Sequence, residues 1–194
     1  MKTVISLCAA ALLAAGIAAC SSSSSTTTTN NSAATAKASP TSTSGVERAT
    51  GKVTGASALA NNVTIPLTWT GPVNTTGSFG TGSPAPAKGQ HHTFTTAAGN
   101  FNVIVSTAPK TVQKVLSTST CLFEFATTVP YKADGAASTG KFAGSTGSGV
   151  VTVSFTANLP KLANGKCNTS NSAQPLAKGA AAVFAAAGPL TVKS

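Results

Sequence analysis

From residue 46 onward, apolar side chains recur at every second position in short runs that end at Gly, Pro, Asn or Asp. Val63, Ile65, Leu67 and Trp69 share one phase of such a run, and Phe101, Val103 and Val105 share another. Val151, Val153 and Phe155 repeat the pattern, as do Ser119, Cys121, Phe123, Phe125 and Thr127 against Leu122, Glu124 and Ala126. A period of two sends alternate side chains to opposite faces of a strand. Each run therefore predicts a strand with one more apolar face, as antiparallel sheets show. Pro66 has no N–H to donate and predicts an edge position or a bulge. His91–Thr96 and Phe101–Val105 flank Ala97-Ala98-Gly99-Asn100, which predicts a hairpin with a four-residue turn. Ala180–Ala187 has high helix propensity, but it is short and bounded by Gly179 and Gly188, so it reads as a strand packed by small residues. A single helical turn near Lys110–Leu116 stays open. The fold class expected is all-β, an antiparallel sandwich or a small barrel of about eight strands, in one domain over residues 46–194.

The chain upstream has a different character. Met1-Lys2-Thr3 is a short positive start, and Val4 to Ala19 is apolar. That run is shorter than the roughly 20 residues needed to span a bilayer, but it suits the apolar region of an export signal. It ends in Ile17-Ala18-Ala19-Cys20, which resembles the lipobox of bacterial lipoproteins: an aliphatic residue, two small ones, then a cysteine. The resemblance implies loss of residues 1–19, acylation of the Cys20 thiol and anchorage at the outer face of the cell membrane, in the cell envelope. The stretch that follows, to Gly45, is almost wholly Ser, Thr, Ala and Asn, with Lys37 and Pro40. It has no apolar period with which to offset its ordering entropy, so residues 20–45 are expected to form a lipidated, disordered tether. As a flexible coil it would span roughly 25–30 Å. A second resemblance lies further on. Thr139-Gly140-Lys141-Phe142-Ala143-Gly144-Ser145-Thr146-Gly147 resembles a Thr-Gly-x-Phe-x-Gly-x-x-Gly hairpin found in barrels of the dirigent and allene oxide cyclase type. It implies a secreted all-β fold and carries over no catalytic residue.

Composition narrows the chemistry. The chain has 13 Lys+Arg against 3 Asp+Glu, a formal charge of +10, and only 2 His and 4 Cys. Three acids cannot furnish both a carboxylate-rich metal cage and paired acid/base catalysts, so no metal, no cofactor and no catalytic residue is expected. The lysines, from Lys52 to Lys193, are spread without interleaved aromatics, which leaves no footprint for nucleic acid. A diffuse positive field suits anionic neighbours such as lipid headgroups, cell-wall polymers or glycans. With Cys8 in the leader and Cys20 the expected acylation point, Cys121 and Cys167 remain, and an exported compartment favours a disulfide between them.

Glu124 sits mid-strand, opposite in phase to Phe123 and Phe125. It is either an exposed carboxylate near a cross-strand lysine or a ligand-facing group in a barrel mouth. His91 and His92 are adjacent on a strand and point to opposite faces, so they do not chelate one ion; both stand as candidate ligand-facing residues. Asp134 falls in a turn signal, Lys132-Ala133-Asp134-Gly135. The chain has no Gly-x-Ser-x-Gly frame, phosphate loop or Rossmann turn. The expected function is a lipid-anchored, non-catalytic binding or structural domain. The alternative is a small barrel enzyme or carrier with Glu124, Tyr131 or a histidine in its lumen. A closed apolar core favours the first, and a roomy cavity with convergent polar groups favours the second.

Overall fold

In the computed structural model, residues 41–60, 62–81, 86–170 and 173–193 are described. The leader, Cys20 and residues 20–40 of the expected tether lie outside them. Among the described residues there are nine strands and no α-helix: β1 Ser42–Thr54, β2 Thr64–Thr70, β3 Thr75–Gly80, β4 His91–Thr96, β5 Gly99–Val105, β6 Lys110–Ser117, β7 Leu122–Ala133, β8 Thr146–Asn158 and β9 Leu176–Lys193. Two short 3-10 turns, Gly55–Leu59 and Gly140–Phe142, complete the regular structure.

Every pairing is antiparallel, and eight strands close on themselves in the order β1-β2-β3-β4-β5-β7-β8-β9. The fold is therefore a barrel, and the sandwich alternative falls away. The extra strand, β6, continues the course of β5. Tyr131–Ala133 of β7 pairs with β5, whereas the earlier part of β7, Leu122 to Thr128, pairs with β6. The wall thus changes partner midway along β7, and the far edge of β6 pairs with no strand among the described residues.

The structure corrects several sequence expectations. Ser42 to Gly45, assigned above to the tether, belong to β1 and pair with Lys193 to Leu190 of β9. Their polar composition hides the strand because their partners, not an apolar period of their own, hold them. Lys110–Leu116 is strand, not a helical turn. The β4–β5 register of Thr96 opposite Gly99 tightens the turn to Ala97 and Ala98. Ser119 and Cys121 precede β7 in a turn, where Cys121 takes a φ of 55°. Pro66 is not on an edge strand, since β2 lies between β1 and β3. The β1–β2 ladder nevertheless stops at Thr50 opposite Thr68, before Pro66 would have to donate. There β1 passes so close that a Cβ on Gly51 would lie 2.1 Å from the Pro66 carbonyl oxygen. Only glycine fits.

The alanine-rich segment is β9, held between β1 and β8. Helix propensity separates ordinary residues by only tenths of a kcal/mol each, which ladders on both sides outweigh. Ala180, Ala182 and Ala186 turn inward and are buried, and their small size leaves lumen volume to the aromatic rings opposite.

Those rings form the core. Trp69 meets Phe94, Phe101 and Phe142 edge-on at centroid distances of 5.7, 5.7 and 5.9 Å. Phe142 comes from the Thr-Gly-x-Phe segment. That segment runs down β5, with the Lys141 N–H donating to Ala98 O at 2.9 Å and the Asn100 N–H to Thr139 Oγ1 at 3.0 Å. Phe142 thereby plugs the end of the lumen at which the β2–β3 and β4–β5 turns lie, and none of it is exposed. A look-alike of that segment, Thr76-Gly77-Ser78-Phe79, has the same Thr-Gly-x-Phe order but lies in the regular strand β3, so the two are not copies of one unit.

Candidate functional site

The lumen is filled at the Phe142 end and hollow toward the other. A cavity of about 500 Å³ lies between the inner faces of β3, β4, β5, β7 and β8 and the start of β6. Its walls are Phe79, Phe94, Val103, Val105, Phe125, Val129, Val151 and Val153, with Pro86 and Pro109 among the loop residues. His92, Thr111, Thr127 and Tyr131 supply the principal polar side chains. Among the described residues, no Lys, Arg, Asp or Glu lines it. Val105, Pro109 and Thr111 line it where β5 hands over to β6, and Phe125, also in its wall, is 42% exposed.

The inward residues follow from the period of two. On β7, Phe125, Thr127, Val129 and Tyr131 share one phase and all reach the cavity. Glu124 is in the other phase. It sits opposite Lys114 in the β6–β7 register and pairs with it, Nζ to Oε2, at 3.0 Å. The ligand-facing reading of Glu124 is therefore replaced by the cross-strand pair, an outer-wall contact of small energetic weight. His91 is likewise outside, its Nδ1 3.2 Å from Asp134 Oδ2. His92 is the inward member of the pair and lines the cavity. Its Nε2 is buried without a hydrogen-bond partner, and burial lowers the ring's pKa below the ordinary value of 6.5.

Glu47 is the residue that sequence reasoning passed over. It is 3% exposed, the one buried acid among the described residues. Its Oε2 accepts the Val73 N–H at 2.9 Å, while Oε1 is buried and unpartnered. Desolvation pushes the carboxyl from 4.5 up to about 7, with the Val73 N–H opposing the rise. Tyr131 is pushed up to about 12, first by its own burial and then by the Glu47 charge. Strand register puts the two on one level of the barrel wall, Tyr131 opposite Gly149 and Glu47 opposite Gly188. A Cβ on Gly149 would fall 2.5 Å from the Tyr131 hydroxyl, so the missing side chain is what lets the phenol lie across the wall. The signal was present: Glu47, Ala49, Gly51 and Val53 form one small or apolar phase against Arg48, Thr50 and Lys52. Glu47 does not line the cavity; its carboxyl ties β1 to the β2–β3 turn.

A pH dependence follows. Between about pH 4.5 and 7 the folded chain keeps a proton on Glu47 that the unfolded chain releases, so this group's stabilising contribution is complete below 4.5 and lost as pH rises through 7. At about 1.4 kcal/mol per pH unit the loss approaches about 3 kcal/mol. His92 acts in the opposite sense: its lowered pKa withdraws stability as pH falls below 6.5. Comparison with Glu47→Gln isolates the first effect. In urea unfolding the variant should be more stable than the wild type at pH 8, by up to about 3 kcal/mol, and little different at pH 4.5. Equal differences at the two pH values would show that Glu47 is not held protonated.

The disulfide joins Cys121 to Cys167, with Cα atoms 5.3 Å apart. Beside it, Lys161 and Cys167 form an isolated antiparallel bridge. The bond ties the turn before β7 to the β8–β9 connection, on the outside of the cavity. No group of three or more His, Cys, Asp or Glu suited to a metal is found among the described residues. Comparisons with protein families, curated proteins and solved structures return no match for this chain.

Proposed function

We propose that this chain is an envelope-anchored binding barrel that holds a small, largely apolar molecule in its lumen. The observation that carries the reading is the cavity of about 500 Å³, walled by Phe and Val side chains and open at one end. Its size falls in the range of small-molecule sites, and such sites are mostly apolar with a few placed polar groups. An antiparallel barrel of eight strands encloses room for one small ligand. The lipobox at Ile17-Ala18-Ala19-Cys20 supports the anchored setting. The binding role follows the first expectation above, and the lumen site follows its carrier alternative.

Trp69 is the sole tryptophan and touches Phe94, a cavity wall, at 5.7 Å. Lumen occupancy should therefore alter its emission. Titration with N-phenyl-1-naphthylamine, a neutral fluorescent probe, should give saturable binding with coupled changes in Trp69 and probe emission. Val153→Phe adds a ring to the cavity wall and should weaken probe binding at least about tenfold without lowering Tm, because it fills space already empty. Undiminished binding by Val153→Phe would place the probe elsewhere and overturn the lumen reading.

A further inference from the structure

Resting on the lumen reading, we infer that His92 reads a hydroxyl group on the ligand, so that the molecule held is a neutral aromatic or aliphatic body bearing a hydroxyl. The argument begins with an unmet bond. His92 Nε2 is buried and unpartnered, and buried polar atoms are almost always hydrogen-bonded. Three other buried side-chain atoms are unpartnered among the described residues, on Glu47, Trp69 and Ser145. None of those residues lines the cavity, whereas His92 does. His92 is therefore the cavity-lining residue that carries an unmet side-chain bond among the described residues.

The chemistry of that space selects the partner. Among the described residues no Lys, Arg, Asp or Glu lines the cavity, so a carboxylate or ammonium entering it would lose its hydration with no counter-charge in those walls. The same burial disfavours the charged form of the His92 ring. A neutral imidazole offers either an N–H or a lone pair at Nε2, according to tautomer. A hydroxyl both donates and accepts, and satisfies either form. Phe79 and Phe94, which line the cavity with His92, offer ring faces and edges to an apolar body carrying that hydroxyl.

The test uses naphthalene, 2-naphthol and 2-naphthoate as competitors of N-phenyl-1-naphthylamine on the wild-type barrel. A single neutral hydrogen bond gives a preference of roughly 3- to 10-fold for 2-naphthol over naphthalene, with 2-naphthoate weakest. His92→Phe should remove that preference, so that 2-naphthol and naphthalene bind the variant with equal affinity, whatever change the two share. Nitrogen-15 spectra of the wild-type protein give a second readout, independent of the variant: 2-naphthol should shift the His92 Nε2 resonance and naphthalene should not. Binding of naphthalene and 2-naphthol with equal affinity, or a preference that survives His92→Phe, overturns the role of His92 and leaves the lumen reading standing. Tightest binding by 2-naphthoate overturns the neutral-ligand assignment. Failure of all three, and of the probe itself, overturns the lumen reading and this inference with it.

Discussion

Phe142→Ala should unfold at markedly lower denaturant than the wild type, with a loss of about 3–5 kcal/mol. Phe142 is fully buried and touches Trp69 at 5.9 Å and Phe101 at 5.0 Å. Truncation removes the transfer energy of a whole ring and leaves a hole that the barrel cannot collapse to fill, because its walls are locked by ladders on both sides. The hole also opens the closed end of the lumen, so Trp69 emission should move to longer wavelength in the folded state. Phe142→Leu keeps much of the volume and should cost far less. If Phe142→Ala stayed within about 1 kcal/mol of the wild type, with Trp69 emission unmoved, the plug would have no part in closing the barrel.

Removing the disulfide should cost nearly as much. The Cys121–Cys167 bond closes a loop with a sequence separation of 46, for which the chain-entropy account gives about 4 kcal/mol. The loop contains β7, β8 and the plug segment, so the bond restricts the unfolded chain over two long strands of the barrel. Cys121→Ala/Cys167→Ala should lower stability by about that amount while leaving the folded far-ultraviolet spectrum unchanged, since the loss falls chiefly on the unfolded state. Alanine is preferred to serine because Cys121 is wholly buried and a hydroxyl there would lose its hydration. Dithiothreitol applied to unfolded wild type should bring its refolding midpoint to that of the double variant. A double variant as stable as the oxidised protein would mean that the unfolded loop is already constrained by other contacts.

Both predictions turn on residues of different legibility. The two cysteines were readable as a pair because the expected export favours oxidation and residues 46–194 hold no other thiol. Phe142 was readable only as part of a turn-and-aromatic segment; nothing local says that this ring, rather than Phe79 of the look-alike, closes the barrel end. That follows from the run of residues 134–142 along β5, a contact between segments far apart in sequence. The alternation of Val63–Trp69, Phe101–Val105 and Val151–Phe155 was legible because period two is a local property of extended backbone, and each apolar phase did turn inward. Ser42 to Gly45 gave no such sign, since what makes them strand is their partner β9.

The candidate site divides in the same way. Local alternation sufficed to separate His91 from His92 and Glu124 from Phe125, but not to say which face of either pair met the lumen. Glu124 was the conspicuous acid, yet its phase carries it to the outer wall beside Lys114. Glu47 was inconspicuous, yet register with β9 and the β2–β3 turn enclose it. The chain's own residue order thus dictates extended segments, their apolar phases and the availability of a cystine. Closure into a barrel, the hand-over from β5 to β6, the cavity beside it and the burial of Glu47 and His92 arise from pairings between distant strands. Their energies depend on register and enclosure, which no short window of residues contains.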